Sequence, residues 1–260
     1  MSFRKNDAVP AVSLDDDLEA SHDAYMMGPH QSQTIRHEFA NKVFSLVALM
    51  FSFTALTCCS LTYFASQPDS HLKHAVPAFF ALGIFGTITF MVLMFCTSIG
   101  KSSGGAYFLM TLITVTESST LAAMGIMYGA NQWPDIVYSA FGGATLITFA
   151  LAIFAKQTKY DVTGMGMWVS VGFGSLFVVG LVQMVLIMLG FQLNWLHIGI
   201  AFIAILITCF SMVRDMQLIF GGSEHKYSVD DYALAAINVY LSIVILVMRI
   251  MEILARLRQR

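Results

Sequence analysis

The chain has 260 residues, of which 57% are hydrophobic and 12% charged, with a mean hydropathy of +0.71 and a formal net charge of -2. A soluble globular domain carries about 25% charged residues, so this composition excludes an ordinary soluble domain. No basic patch interleaved with aromatic residues occurs, which argues against a nucleic-acid-binding protein.

The first 40 residues are predicted to form a disordered cytosolic tail. They contain the acidic run LDDDLE and the polar stretch HQSQ, and they lack the apolar core of a cleavable signal peptide. We therefore expect an uncleaved first anchor, a single transmembrane domain at 41–255, and a short basic tail at 256–260.

Seven apolar segments follow the tail, and each is long enough to cross a bilayer, since about 20 apolar residues span its core as a helix. The links between the segments are short, which predicts that helices adjacent in the chain are antiparallel. The predicted fold class is an all-α polytopic membrane protein, a seven-helix bundle in one domain. The segments lie at 43–65, 75–98, 106–129, 136–155, 167–190, 195–220 and 232–254.

The distribution of basic residues predicts the orientation, because cytosolic links of membrane proteins are enriched in Lys and Arg. The N-terminal tail and the even-numbered links are basic, whereas the links on the other side contain only Lys73, so we expect a cytosolic N-terminus. The C-terminal ARLRQR conflicts with this, since seven full crossings place its arginines outside. Two alternatives stay open: a full last crossing, or a re-entrant last segment that returns to the same side. The residues on the basic side are Arg4, Lys5, Arg36, Lys42, Lys101, Lys156, Lys159 and Lys226.

The sixth segment carries the first candidate site. Thr208, Ser211 and Asp215 have the spacing i, i+3, i+7 and share one helical face. Arg214 points about 100° away around the helix. We therefore expect that it does not pair with Asp215 and that it extends to the lipid headgroups. Asp215 is then either an interfacial charge or an inward carboxylate that lines a polar path.

Two further segments carry polar residues at helical spacing. Asn238, Ser242 and Arg249 share a face of the last segment, where they either form interhelical hydrogen bonds or contribute to a site. Glu117 lies deep in the third segment, where a carboxylate is expected to be neutral or paired. It either links helices or belongs to an ion path.

No motif indicates an enzyme, a metal site or a cofactor. The sequence has no Ser or Cys nucleophile with a plausible base nearby and no His-Glu-x-x-His zinc motif. The cysteines all lie inside apolar runs, which is typical of buried small hydrophobic residues. They are Cys58, Cys59, Cys96 and Cys209.

Four stretches, taken in order, carry a family resemblance. They are RHEFANKVFSLVAL, AYFLMTLITVTESS, ATLITFALAIFAKQTKYDVTGMG, and RDMQLIFGGSEHKYSVDDYALAAINVYLSI at 214–243. Their order and spacing resemble those of the Bax inhibitor-1 family, also called the transmembrane Bax inhibitor motif or lifeguard proteins. The lifeguard and Golgi anti-apoptotic branches are more similar to the chain than the founding member is. The resemblance covers roughly residues 36–254.

The resemblance implies seven helices, six of them around a central one, and a gate in which two aspartates on the last two helices share a proton. The first of these aspartates falls on Asp215, with Arg214 in place of the family's tyrosine. The second falls on Ser242, so this chain keeps one carboxylate and has a hydroxyl in place of the other. Glu117 matches an acidic position of the family, whereas the family's second-helix arginine has no clear counterpart.

The resemblance also implies a function in the endoplasmic reticulum, the Golgi or other membranes. The expectation is a calcium-leak channel that lowers store calcium and restrains apoptosis, with calcium as the permeant ion and no cofactor. Asp215 and Glu117 would attract cations, and Ser242 and Asn238 would face them. The alternative is a non-conducting adaptor that regulates cell death, trafficking or stress signalling through other membrane or apoptosis-regulating proteins. A divergent viral member of the family is compatible with both.

Overall fold

The computed structural model describes residues 33–67, 71–97, 102–158, 160–189, 194–221 and 231–258. Seven helices in these ranges are long and apolar enough to cross a membrane, which confirms the predicted all-α polytopic fold. The helices are α1 Gln33–Ala65, α2 Val76–Cys96, α3 Ser103–Ala130, α4 Pro134–Gln157, α5 Gly166–Met188, α6 Asn194–Ile219 and α7 Tyr232–Arg258. Short 3-10 helices at Leu72–Ala75 and Thr163–Met165 precede α2 and α5.

The two predicted tails fall mostly outside the described residues. Positions 1–32 and 259–260 are not described. Residues 33–40, which close the predicted N-terminal tail, are helical in α1, and residues 256–258 are helical in α7.

Local sequence explains several helix boundaries. The side chain of Ser102 accepts a hydrogen bond from the backbone N–H of Gly105 at 3.2 Å, which caps α3. Pro134 begins α4, where the missing N–H of proline removes no helical hydrogen bond. Gly221 follows the end of α6 with a φ of 87°, a left-handed conformation that glycine adopts without strain.

The last helix, α7, lies at the centre of the bundle. It packs against α1, α3, α4 and α6, and Tyr240 at its middle is fully buried. By contrast, α5 packs only against α6 and the 3-10 helix that precedes it, among the described residues. The central helix that the family resemblance implied is therefore α7.

The structure decides between the two alternatives for the last segment. At the end of the bundle where α1 begins, called the Gln33 end, the ring of Tyr232 packs on Phe39 with 5.1 Å between centroids. At the opposite end, called the Ala65 end, Arg258 forms an ion pair with Asp135 at the start of α4. Because α7 runs unbroken for 27 residues between these contacts, it crosses the bundle fully, and the re-entrant alternative is wrong.

Glycines bring α1 and α3 into close contact. A β carbon added to Gly129 would lie 2.4 Å from the carbonyl oxygen of Thr62, and one added to Gly125 would lie 2.4 Å from the Thr62 hydroxyl. Small residues at four-residue spacing let membrane helices approach closely. The Gly-x-x-x-Gly pattern of α3 therefore marks the face that packs on α1.

Candidate ion path

Asp215 lies near the end of α6 and is 6% exposed. Arg214 Nη1 lies 3.7 Å from Asp215 Oδ1, so the prediction that the two do not pair was wrong. The two side chains leave the helix in different directions, but the arginine is long enough to reach back around the helix surface. The carboxylate of Asp215 therefore has a cationic neighbour on its own helix.

Arg214 does not extend to the headgroups as predicted. Its side chain is 12% exposed, and its Nε donates a 3.0 Å hydrogen bond to the carbonyl oxygen of Thr163, just before α5. Gly166 leaves room for the guanidinium, since a β carbon there would lie 2.5 Å from Arg214 Nη2. Arg214 stays inside the protein because a chain segment distant in sequence supplies a hydrogen-bond acceptor there, which the sequence pattern of α6 alone does not reveal.

The link between α4 and α5 is tied to α6 by hydrogen bonds. Gln217 Nε2 donates to the carbonyl oxygen of Tyr160 at 2.7 Å, and Gln217 Oε1 accepts from the backbone N–H of Val162 at 2.9 Å. Asp161 Oδ1 accepts from the backbone N–H of Thr163 at 2.9 Å and from its hydroxyl at 2.6 Å. This link therefore covers the Gln33 end of α6 and holds Arg214 beneath it.

The polar face predicted for α6 lies inside the bundle. Thr208 is fully buried, and Ser211 and Asp215 are each less than 10% exposed. Thr208 donates to the carbonyl oxygen of Ala204 at 2.8 Å, which satisfies its hydroxyl hydrogen within the helix. Seven residues of helix separate Thr208 from Asp215, or about 10 Å along the axis.

Ser242 and Asn238 lie on α7, which packs against α6. Met216, which follows Asp215, lines a cavity of about 220 Å³ together with Val239 and Ile243, which flank the turn from Asn238 to Ser242. Ser242 is 6% exposed and Asn238 is half-buried. The predicted site residues Asp215, Ser242 and Asn238 therefore lie on two helices that are in contact with each other.

Glu117 is held on a different side of the bundle. Its neighbour in the chain, Thr116, hydrogen-bonds Thr87 of α2, with 2.9 Å between the two hydroxyl oxygens. Since α2 does not contact α6 among the described residues, Glu117 and Asp215 make their contacts in separate interfaces.

A chain of hydroxyl groups, which sequence reasoning missed, connects three helices at the centre. Thr54 Oγ1 lies 2.8 Å from both Tyr240 Oη and Ser118 Oγ, and Ser118 Oγ lies 2.7 Å from the carbonyl oxygen of Thr114. Tyr240 can donate to Thr54 and Ser118 donates to Thr114, while the single hydroxyl hydrogen of Thr54 has two acceptors within reach, Ser118 and the carbonyl oxygen of Met50 at 3.0 Å. Such a chain links α7 to α1 and α3 in the membrane interior, where an unpaired hydroxyl is unfavourable.

At the Ala65 end, α7 carries a cluster of charges. Arg249 Nη1 lies 2.9 Å from Glu252 Oε2, and Arg256 Nε lies 3.6 Å from Glu252 Oε1. Arg249 was predicted as a site residue and Glu252 was not, although its i+3 spacing from Arg249 in an apolar helix was a usable signal.

The charge cluster opens into a cavity with a volume of about 530 Å³. The cavity lies between α3, α5, α6 and α7, and Thr208, Arg249 and Glu252 are among its lining residues. Thr208, which shares the buried polar face of α6 with Asp215, is thus the member of that face that borders this cavity.

Comparison with known proteins decides the family. Residues 36–259 match the family model described as "Inhibitor of apoptosis-promoting Bax1". The chain belongs to the Bax inhibitor family. The resemblance inferred from the four sequence stretches is thereby confirmed.

Individual members of the Bax inhibitor family match most of the chain. The chain is 24% identical to Protein lifeguard 3 of Homo sapiens over 237 residues, an alignment that covers 90% of this chain and 74% of that protein. It is 24% identical to Protein lifeguard 4 of Mus musculus over 253 residues, which are 96% of this chain and 97% of that protein. It is 24% identical to the Golgi anti-apoptotic protein of Vaccinia virus (strain Lister) over 248 residues, which are 95% of this chain and 97% of that protein.

No group of three His, Cys, Asp or Glu residues close enough to hold a metal ion occurs in the described part of the chain. Two acidic side chains of this Bax inhibitor protein lie beside arginines: Asp215 beside Arg214 near the Gln33 end, and Glu252 beside Arg249 nearer the Ala65 end. Both carboxylates therefore have a cationic neighbour in the described conformation.

Proposed function

We propose that this Bax inhibitor protein conducts calcium out of an intracellular store and thereby restrains cell death. The observation that carries the proposal is the buried polar face of α6, which runs from Asp215 to Thr208, and Thr208 borders the cavity that Glu252 also lines. Ionisable groups inside a membrane protein are unfavourable and tend to mark ion pathways. Ser242 and Asn238 would supply neutral oxygen atoms from the neighbouring helix α7.

Arg214 is the closing element of this path. In the described conformation its guanidinium lies beside Asp215 and is held by the carbonyl oxygen of Thr163. A permeating cation has to replace Arg214 as the neighbour of Asp215. In the gate implied by the family resemblance, a second aspartate, at the position of Ser242, interacts with the first. In this protein Arg214 takes that part instead.

The compartment and the orientation are part of the same proposal. The name of the vaccinia virus relative supports the Golgi or another endomembrane, and the names of this relative and of the family support a role in cell death. The Gln33 end would face the cytosol. Arg256 and Arg258, which pair with Glu252 and Asp135, would then lie on the opposite side, against the usual excess of arginine in cytosolic segments.

The test is calcium release from vesicles that contain the purified protein and a calcium indicator. We expect Asp215→Asn to lower the release rate about tenfold, since a fixed charge in a narrow path raises the local cation concentration by about that factor or more. We expect Arg214→Gln to raise the rate, because the competing cation is removed. Glu38→Gln, which removes an exposed carboxylate at the Gln33 end, is the matched control and should leave the rate unchanged.

The non-conducting adaptor gives a different result. One observation favours it, namely that Asp215 already has a cationic neighbour, so the path is closed in the described conformation. If vesicles with the wild-type protein release calcium no faster than empty vesicles while the protein still protects cells, conduction is refuted and the adaptor is supported. Opposite effects of Asp215→Asn and Arg214→Gln on release support conduction.

A further inference from the structure

A small basic pocket lies at the Gln33 end, away from the ion path. It has a volume of about 240 Å³ and is lined by Arg36 and His37 of α1, Lys156 of α4 and Phe220 after α6. Two of the four side chains carry a permanent positive charge and a third is a histidine. Such a lining attracts an anion.

The positive charges of this pocket are not neutralised by neighbouring carboxylates in the described part of the chain. Neither Arg36 nor Lys156 forms an ion pair there. Asp161 lines the adjacent cavity beside Lys156, and its Oδ1 accepts two hydrogen bonds from Thr163. The described residues that line the basic pocket itself include no carboxylate, so this lining is positively charged.

Arg36 provides a second, independent observation. Its Nε is buried and has no hydrogen-bond partner among the described residues. A buried N–H group without a partner is unfavourable by about 1–3 kcal/mol, and more when the group is charged. An anion in the pocket would supply the missing acceptor.

The side chain of Arg36 is also held in place. It lies against Gly221, where an added β carbon would be 2.5 Å from Arg36 Cδ and 3.2 Å from Nη1. Phe220 packs on Phe44 of α1 with 5.6 Å between ring centroids, which fixes the apolar wall. A guanidinium that is already oriented loses little freedom on binding, so the pocket is prepared for a ligand.

The position of the pocket suggests where such a ligand comes from. The start of α1 and the ends of α4 and α6 meet at the Gln33 end, the level at which a membrane-spanning bundle meets the headgroups. Ile153 and Phe154, less than one turn before Lys156 on α4, are exposed on the surface of the bundle. A lipid whose acyl chains lie against this surface would bring its headgroup to the pocket.

We propose that Arg36, Lys156 and His37 bind a phosphate monoester group, carried by a lipid headgroup or by a soluble phosphate compound. A doubly charged phosphate matches two permanent cations, with arginine donating in a planar fork and lysine acting as a point charge. The pocket has room beyond the phosphate for the adjoining part of a headgroup. This site does not depend on conduction through the path described above.

The test is binding to the purified full-length protein in phosphatidylcholine nanodiscs that contain a small fraction of one added lipid. The added lipids are phosphatidic acid and phosphatidylinositol 4-phosphate, which carry a phosphate monoester, and phosphatidylglycerol, an anionic lipid without one. The soluble arm uses inositol 4-phosphate and inorganic phosphate. Retained lipid is counted by native mass spectrometry, and soluble ligands are titrated by calorimetry.

We expect the phosphate-monoester lipids to bind at least tenfold more tightly than phosphatidylglycerol. We expect Arg36→Gln or Lys156→Gln to weaken binding of these lipids about tenfold, because each variant loses a charge-assisted hydrogen bond. Lys73→Gln, at the Ala65 end, is the matched control and should have no effect. Binding of the soluble phosphates as tightly as the lipids would identify the phosphate group alone as the ligand, whereas binding of the lipids only would identify a lipid site.

Two results would overturn the proposal. One is equal retention of phosphatidic acid and phosphatidylglycerol, which means a non-specific attraction for negative charge. The other is unchanged binding to the Arg36→Gln/Lys156→Gln double variant. If that variant fails to fold, Arg36→Lys serves instead: it keeps the charge but loses the planar fork of donors, so undiminished binding to it also refutes the site.

Discussion

The close contact of α1 and α3 makes Gly129→Ala the most direct test of the packing. The new β carbon would lie 2.4 Å from the Thr62 carbonyl oxygen, whereas ordinary contacts begin at 3.4 Å. The two helices must therefore separate by about 1 Å. Overpacking of this kind destabilises proteins by about 1–3 kcal/mol.

The same separation would reach the hydroxyl chain at the centre. The hydrogen bond between Thr54 and Ser118 is 2.8 Å long and would lengthen to about 3.8 Å if α1 moved by that distance as a rigid body, which is too long for a hydrogen bond. An interhelical hydrogen bond in a membrane protein contributes about 0.6 kcal/mol. Together these give about 1.6–3.6 kcal/mol, of which the better helix propensity of alanine offsets about 1 kcal/mol. We therefore expect Gly129→Ala to lower the free energy of unfolding by about 0.6–2.6 kcal/mol.

The assay is unfolding in mixed micelles by titration with sodium dodecyl sulfate, followed by circular dichroism. Gly142→Ala on α4 is the matched control, because no atom lies within 4 Å of a β carbon at that position. Alanine is a better helix former than glycine by about 1 kcal/mol, so the control should be equally stable or more stable than the wild type. The reasoning is refuted if Gly129→Ala is as stable as Gly142→Ala.

Two further variants separate buried contacts from exposed ones. Tyr240→Phe removes the hydroxyl that hydrogen-bonds Thr54. It should lower the free energy of unfolding by about 0.6–2 kcal/mol in the same titration. A Tyr240→Phe protein that is more stable than the wild type would contradict the hydroxyl chain. Asp135→Asn breaks the exposed ion pair with Arg258 and should leave the unfolding curve unchanged, since exposed ion pairs contribute little. An Asp135→Asn effect as large as that of Tyr240→Phe would mean that this pair is shielded from solvent.

The pairing of Arg214 with Asp215 changes how the single aspartate is understood. A lone buried carboxylate would be unfavourable in the membrane interior, and the expectation from the family resemblance left Asp215 facing only a serine. The structure instead supplies a positive charge from the adjacent residue, held by the carbonyl oxygen of Thr163. Substitutions at Arg214 are therefore expected to act through Asp215 and not through contacts with the headgroups.

The sequence by itself determined the helices, the shared polar face of α6 and the family, whereas the structure decided that this face lies inside the bundle. Helix existence follows from apolar length, and the common face of Thr208, Ser211 and Asp215 follows from the helical period, both of which are local properties of the chain. Tertiary structure alone decided that α7 crosses fully, because contacts at both of its ends are with distant helices. It also decided the pairing of Arg214. A long side chain has many accessible directions, and its choice depended on an acceptor 51 residues away in the chain.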